Sequence, residues 1–248
     1  MDRLQERFAR AGIELRLAAS PRAFNRRLLT QRAETLFMID VRHKRGRSRP
    51  HEYILLHRGA LVDVRILDVS KTFQQVLLAV EEPATRLRVR EYDRRTGRRV
   101  VREHLVPATS RRLLVGMDES HLFVCPLARK ASSVREAHAK LVPPAVHITQ
   151  HHKCKRQGEW FFVPVEAPET LEKITNEIAL VGVRKRQRLG EGGHPHVADE
   201  LVPLQESLFV RGRVRHAEHR VLKLNRWHEV HRNTEERQQV IPGMTWVD

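Results

Sequence analysis

Between residues 35 and 106 the chain alternates polar and apolar side chains, and this alternation is the feature that most constrains its fold. Successive side chains of a strand point to opposite faces, so a period of two predicts strands with one buried face. Turn-forming residues at 58–59 and 93–97 leave only short connections between neighbouring strands. Connections this short cannot cross over to make parallel pairs, so the pattern predicts an antiparallel meander.

The rest of the chain mixes strand and helix signals. Strands of the meander are predicted at 35–41, 51–57, 61–69, 75–80, 86–92 and 99–106. Further strands are predicted at 13–19, 113–117, 121–127, 159–165, 208–216, 220–224 and 227–232. Short helices are predicted at 2–11, from 20–21 onward, at 132–141 with a capping box of Ser133 and Glu136, and at 168–178. The predicted class is α+β, mainly antiparallel sheet with a few short helices.

A length of 248 residues suits one large domain or two small ones. Pro143 and Pro144 end the helix predicted before them, and we place a domain boundary there. The prediction is a basic antiparallel-sheet domain over 1–142 and a histidine-rich α+β domain over 143–248. Only 5% of the residues are aromatic, so the cores must consist mostly of Leu, Val, Ile and Ala.

Several observations bear on the compartment. No apolar run approaches the roughly 20 residues that a membrane helix requires, and the first residues lack the apolar core of a secretory signal. The two cysteines, Cys125 and Cys154, are too few for a disulfide framework. The expectation is therefore a cytoplasmic protein with no membrane contact.

The charge is large and uneven. The net charge is +16, and residues 1–130 hold 28 Lys and Arg against 15 Asp and Glu, whereas the remainder holds 18 against 15. Genome composition explains a preference for Arg over Lys, but it does not explain the shortage of acids. The first half is therefore expected to contact a polyanion, with DNA and RNA both open.

One basic segment is the turn between two predicted strands at 42–49. Its cations could reach a phosphate backbone, although an ordinary solvated loop has the same composition. The candidate nucleic-acid-binding residues of this turn are Arg42, Lys44, Arg45, Arg47 and Arg49.

A second basic segment is the hairpin over 86–102. On an extended strand Arg86, Arg88 and Arg90 share one face, and on the returning strand Arg98 and Arg102 share one face. If the register joins these two faces, about five cations repel one another until an anion binds. The alternative is that the arginines splay apart and pair with scattered carboxylates.

A third basic segment is the strand predicted at 208–216. Arg211, Arg213 and Arg215 share a face there, and Gly212 in the middle of the strand predicts a bulge or a close backbone approach. A half-buried strand with a solvated arginine face is the alternative. With few aromatic residues and no zinc-finger or helix-turn-helix pattern, the sequence favours backbone contacts over base readout. The predicted function is a non-enzymatic nucleic-acid-binding protein.

Histidines concentrate in the second half, where eight of the fifteen lie between residues 151 and 231. His194-x-His196 followed by Glu200 resembles part of the first metal motif of cupins, and the resemblance is confined to this short segment. It implies that these three residues are metal ligands, with His228 or His216 completing the site. Imidazoles with a carboxylate suit a divalent transition metal. A surface loop is the alternative interpretation of this Gly-rich segment.

A metal site would allow a second function, a metal-dependent enzyme such as a hydrolase or nuclease. Such an enzyme would use the C-terminal histidines and nearby carboxylates. No phosphate-binding loop, dinucleotide fingerprint or Gly-x-Ser-x-Gly motif occurs. Apart from a transition metal, the sequence indicates no cofactor.

Overall fold

The computed structural model describes residues 3–19, 37–42, 52–57, 62–93, 95, 97–119, 121–148, 153–190 and 195–235. Only the backbone is described at 42, 85, 87–91, 93, 102, 104, 106 and 148. The chain forms two compact units, one with residues up to 117 and 122–137, the other with 118–121 and 138–235. Most strands pair antiparallel and the helices are short, which confirms the predicted α+β class. The domain boundary after residue 142 stays a prediction.

The first unit contains one described helix followed by strands. Its elements are α1 (Arg3–Arg10), β1 (Leu15–Leu17), β2 (Phe37–Arg42), β3 (Glu52–His57), β4 (Asp63–Ser70), β5 (Gln75–Glu82), β6 (Thr85–Asp93), β7 (Arg98–Val106), β8 (Thr109–Asp118) and β9 (His121–Pro126). The strands form sheets in the orders β1-β3-β2, β4-β5-β8-β9 and β6-β7.

Not every pair in this unit is antiparallel, because β1 pairs parallel with β3. Strand β1 lies outside the meander predicted over 35–106, within which β2 with β3, β4 with β5 and β6 with β7 pair antiparallel. Residues 18–51 separate β1 from β3 and leave ample chain for a parallel arrangement.

The two larger sheets of the first unit share one apolar core. Phe37, Ile39 and Leu55 of the three-stranded sheet belong to the same buried cluster as Leu78 and Leu113 of the four-stranded sheet. Burying these alternate positions is what the period-two pattern predicted. The four-stranded sheet is thereby anchored in this core, and β6 and β7 lie in the chain between its strands β5 and β8.

The second unit is built on one larger sheet. Its elements are α2 (Val134–Leu141, shared with the first unit), α3 (Pro144–Ile148), β10 (Lys155–Gln157), β11 (Trp160–Pro164), α4 (Pro168–Val181), β12 (Arg184–Leu189), β13 (His196–Leu204), β14 (Ser207–Arg215) and β15 (Leu222–Arg232). The strand order is β10-β11-β15-β14-β13-β12, and every neighbouring pair is antiparallel. None of the described helices is long and apolar enough to span a membrane.

The local signals in this part of the chain have mixed outcomes. The serine half of the capping box is confirmed, since the backbone N–H of Glu136 donates to Ser133 Oγ at 3.1 Å, while the Glu136 carboxylate accepts from the Ser132 N–H at 2.8 Å. The helix predicted before Pro143 and Pro144 ends at Leu141, as expected, and Pro144 begins the next helix, α3, because proline fits the first helical position. Strands β12 and β13 were not predicted, and β15 is one strand where two were expected. Strand β12 reads Arg-Lys-Arg-Gln-Arg-Leu and lacks apolar alternation, so its backbone pairing with β13 is what makes it a strand.

The six-stranded sheet curls enough to bring its outer strands together. Leu189 on the edge strand β12 shares a buried cluster with Trp160 on β11, near the opposite edge. A Cβ at Gly190 would lie only 2.9 Å from the Trp160 ring. The turns at this end of the curled sheet therefore lie close to one another.

Candidate nucleic-acid interface and histidine cluster

Strands β6 and β7 form a two-stranded ribbon that continues the pairing of β5 and β8 beyond their sheet. The β5–β8 ladder ends with Glu82 opposite Thr109, and pairing resumes with Thr85 opposite Val106. Both strands carry Pro-Ala at this break, at 83–84 and 107–108. Proline has no N–H to donate to a ladder, so the break separates ribbon from sheet. We call residues 85–106 the β6–β7 arm.

The arm is exposed at nearly every position whose side chain is described, Val100 being half-buried. Tyr92 is 65% exposed, Val101 59% and Leu105 72%, and Arg86 and Arg99 are exposed as well. Within the described chain no third strand pairs with the arm. Strands of nine residues at roughly 3.3 Å each give a ribbon about 30 Å long.

The register of the arm corrects one expectation. Arg88 lies opposite Glu103, and Arg99 lies opposite Tyr92. Residues directly opposite share a face, so Arg88 shares its face with Arg99. The register therefore does not join Arg98 and Arg102 to the face of Arg86, Arg88 and Arg90, and the condition for a face of about five cations is not met.

The turn sets this register, because a shift of one residue in the pairing moves every side-chain position of a strand to the other face. Asp93 pairs with Arg98, which puts Arg98 and Arg102 on the second face together with Glu91. The arm consequently has arginine positions on both faces. Those of the first face are Arg86, Arg88, Arg90 and Arg99.

The arginines of β14 have carboxylate partners on β13. Arg211 Nε lies 2.6 Å from Glu200 Oε2, and Arg213 Nε lies 3.2 Å from Asp199 Oδ2. Arg215 pairs with the other oxygen of Asp199. Hydrogen bonds from Arg215 and Arg213 lower the pKa of Asp199 to about 2. This face agrees with the alternative interpretation, a half-buried strand whose arginines are matched by nearby acids.

Gly212 allows β14 to approach Asp199 closely. Its φ is +91°, and the β14–β15 register shifts between Val210 and Gly212, which confirms the predicted bulge. A Cβ at this position would lie 2.8 Å from Asp199 Cβ, so a larger residue would push Asp199 away. The close approach lets the backbone N–H of Arg213 donate to Asp199 Oδ2 at 2.9 Å.

The remaining candidates for nucleic-acid binding are only partly described. Arg42 ends β2, and only its backbone is described. Lys44, Arg45, Arg47 and Arg49 lie outside the described residues. For this turn the sequence-based prediction stands as it was.

Of the four predicted metal ligands, the structure describes three. His194 lies outside the described residues. Glu200 is paired with Arg211, and His228 is buried with its Nδ1 2.8 Å from the Arg226 carbonyl oxygen. His196 is buried at the start of β13. The set of four therefore stays a prediction, and only His196 of it belongs to the cluster described next.

His196 lies with two histidines of the β14–β15 loop. His196, His216 and His219 each offer a ligand atom, and these atoms lie within 4.8 Å of one another. Asp118, His121 and His219 form a second such group. The His216-x-x-His219 spacing was visible in the sequence, whereas the partners from distant positions were not. No family model, curated protein or solved structure matches this chain.

Proposed function

We propose that this protein binds duplex DNA and that the β6–β7 arm enters a groove of the duplex. The observation that supports this most strongly is an exposed two-stranded ribbon with arginine positions on both faces. The major groove of B-DNA is about 12 Å wide and admits a two-stranded β-ribbon. Arginines on both faces can reach the phosphates of both strands that line such a groove.

Electrostatics within the arm favour an anionic partner. Residues 85–106 contain eight arginines and three carboxylates, an excess of five positive charges. Within the paired strands no two arginine positions lie directly opposite each other, and Arg88 and Arg98 lie opposite Glu103 and Asp93. The positive excess is therefore spread along the ribbon, where bound phosphates would neutralise it. Each neutralised phosphate also releases counterions, which makes the affinity steeply dependent on salt.

The shape of the arm favours DNA over RNA. The major groove of an RNA helix is too deep and narrow for side chains to read, whereas that of B-DNA accepts a ribbon. The described arm offers one exposed aromatic ring, that of Tyr92. Base stacking along a single strand therefore has little support, and contacts to the phosphate backbone are the proposed mode.

We further propose that the protein acts in the cytoplasm and by binding alone. Cys125 and Cys154 are free thiols, as a reducing compartment would keep them. The proposed role of the arm requires no covalent step. Binding would instead place the first unit along a duplex.

Fluorescence anisotropy with a labelled duplex of about 30 base pairs tests the proposal over a range of salt concentrations. The arm variant replaces Arg86, Arg88, Arg90 and Arg99 with Gln. Its matched control replaces the four exposed cations of β12 with Gln, namely Arg184, Lys185, Arg186 and Arg188. Both variants lose the same charge, and circular dichroism checks that both keep their strands.

The wild-type affinity should fall linearly on a double logarithmic plot against salt, with a slope of about 0.9 per phosphate contacted. The arm variant should lose up to about 3.6 from this slope and bind at least tenfold more weakly, while the control changes far less. Equal losses in both variants would show that net charge alone attracts the duplex. A lack of sub-micromolar binding at about 50 mM salt, or a preference for duplex RNA, would also overturn the proposal.

A further inference from the structure

We infer that His196, His216 and His219 form a binding site for a divalent transition metal such as Zn²⁺. The three residues meet at one end of the curled six-stranded sheet. His196 is the first residue of β13, His216 follows the end of β14, and His219 lies in the loop before β15. This inference concerns the second unit alone and does not depend on the proposed binding of DNA.

The three rings already converge. The ring centroids of His196 and His216 are 4.3 Å apart, those of His216 and His219 4.8 Å, and those of His196 and His219 5.5 Å. Ligand nitrogens about 2.0–2.1 Å from a tetrahedral zinc are about 3.4 Å from one another. Since one nitrogen of each ring lies within 4.8 Å of the others, modest ring rotations would close the site.

Burial gives an independent reason to expect a ligand here. The side chains of His196 and His219 are each only 3% exposed. His196 Nε2 and His219 Nδ1 are buried and have no hydrogen-bond partner within the protein. Buried polar atoms almost always have partners, and a metal ion would supply one for His196 Nε2.

Gly158, in the turn between β10 and β11, lies beside two of the rings. A Cβ at this residue would lie 2.9 Å from His219 Nε2, 3.2 Å from His196 Cε1 and 3.3 Å from His196 Nε2. Both Nε2 atoms therefore lie next to the volume that a side chain at residue 158 would occupy. That volume stays clear because residue 158 has no side chain.

A carboxylate lies near the Nδ1 atom of His196 and another near that of His219. Glu159 Oε2 lies 4.0 Å from His196 Nδ1, and Glu119 Oε2 lies 3.8 Å from His219 Nδ1. A carboxylate beside Nδ1 is the usual outer support of a metal-bound histidine, because it holds the proton on Nδ1 and leaves the Nε2 lone pair for the metal. Both carboxylates are slightly beyond hydrogen-bond distance, so a small shift on metal binding would complete the two contacts.

The protonation state of the rings also suits a metal. Burial, followed by the neighbouring imidazoles, lowers the pKa of His196 to about 3. Burial also lowers the pKa of His219. A histidine must be neutral to coordinate a metal, and both shifts favour the neutral ring.

The chemistry of the donors selects the metal class. Three imidazoles suit Zn²⁺, Cu²⁺ or Ni²⁺, whereas Mg²⁺ and Ca²⁺ require oxygen ligands. Asp118 and His121 belong to the same unit and have ligand atoms within 4.8 Å of one atom of His219. A water molecule can complete a tetrahedral site that has three imidazole ligands.

Metal loading of the full-length protein tests this inference. The protein is stripped with a chelator, incubated with Zn²⁺ or Co²⁺, desalted and analysed for metal content. The variants are His216→Gln and His219→Gln. The control is His231→Gln, because His231 is a half-buried imidazole on β15 that belongs to neither group of ligands.

Wild type and control should each retain one equivalent of metal, and Co²⁺ should give the intense visible spectrum of tetrahedral coordination. Zn²⁺ should raise their thermal midpoint, since a ligand that binds only the folded state stabilises it. The two variants should bind at least tenfold more weakly, and Mg²⁺ should have no effect. If micromolar Zn²⁺ is not retained stoichiometrically, or if His216→Gln folds and binds as tightly as the control, the inference is wrong.

Discussion

The β6–β7 arm and strand β14 carry the same local pattern, arginines at alternating positions, but have different surroundings. Arg211, Arg213 and Arg215 lie beside Asp199 and Glu200 of the neighbouring strand. Among the described strands those of the arm pair only with each other, and three carboxylates accompany its eight arginines. An alternating arginine pattern therefore says little about binding until the neighbouring strand is known.

The surroundings also determine what each set of arginines does for stability. The ion pairs of β14 are partly exposed, so each contributes at most about 1 kcal/mol. Arg211 additionally stacks over Trp227, with its guanidinium 4.6 Å from the ring centroid. These arginines cover and hold the surface of a sheet. The arm has no described core of its own, and its arginine positions extend away from the four-stranded sheet.

Removing the arm should have the largest effect on DNA binding. Residues 83–108 are replaced by Asn-Gly, a dipeptide that joins paired strands in a tight hairpin. Glu82 and Thr109 are already paired, so the β5–β8 ladder remains and the thermal midpoint should change by only a few degrees. Anisotropy should show DNA binding weakened by at least about a hundredfold, as expected when most phosphate contacts are lost. Retention of wild-type affinity would assign binding to another surface.

Removing the acids that face β14 should have an intermediate effect. The double variant Asp199→Asn and Glu200→Gln leaves three arginines without their carboxylates, which makes β14 resemble the arm. DNA affinity should rise severalfold, while unfolding in urea should show a loss of about 1–2 kcal/mol. The control, Glu169→Gln with Glu172→Gln on the exposed face of α4, changes the net charge equally. An equal gain in affinity from the control would mean that local pairing is irrelevant.

Lowering the pH should have the smallest effect, and it should change the stability of the second unit more than DNA binding through the arm. Burial lowers the pKa of His228 in the second unit. The unfolded chain therefore takes up a proton below its ordinary pKa of about 6.5, before the folded protein does, and stability falls as the pH decreases below that value. Above it His228 contributes no pH dependence.

Thermal unfolding between pH 7 and pH 5 measures this effect. The midpoint of the wild type should decrease by a few degrees more than that of His228→Gln, which has no imidazole at this position. Arginines keep their charge throughout this range, so binding through the arm should change little. If both proteins lose stability in parallel, His228 is not the source of the acid sensitivity.

Much of the fold could be predicted because the responsible signals are local. Alternation located β2 to β7 to within a few residues, and the Ser133–Glu136 spacing and Gly212 indicated a helix start and a bulge. Strand β12 was missed because four of its six residues are cations, so the sequence shows no alternation and the strand is defined by its pairing with β13. The parallel β1–β3 pair was missed because a long connection leaves strand direction open.

The candidate sites required more than local signals. The faces of the arm depend on the register of its turn, which inverts with a shift of one residue. The two groups of possible metal ligands combine residues 118 and 121 with residues 196, 216 and 219, and several strands separate these positions along the chain. The resemblance at 194–200 indicated His196 but associated it with Glu200, whose carboxylate is held by Arg211.

The sequence by itself determined that this protein is an arginine-rich α+β protein with strands at identifiable positions. Charge, periodicity and turn chemistry are properties of neighbouring residues, so they can be deduced from the chain. The tertiary structure decided which arginines have carboxylate partners and which histidines converge. These outcomes depend on distances of a few ångströms between residues far apart in sequence, because charge pairing and metal coordination act only over such distances.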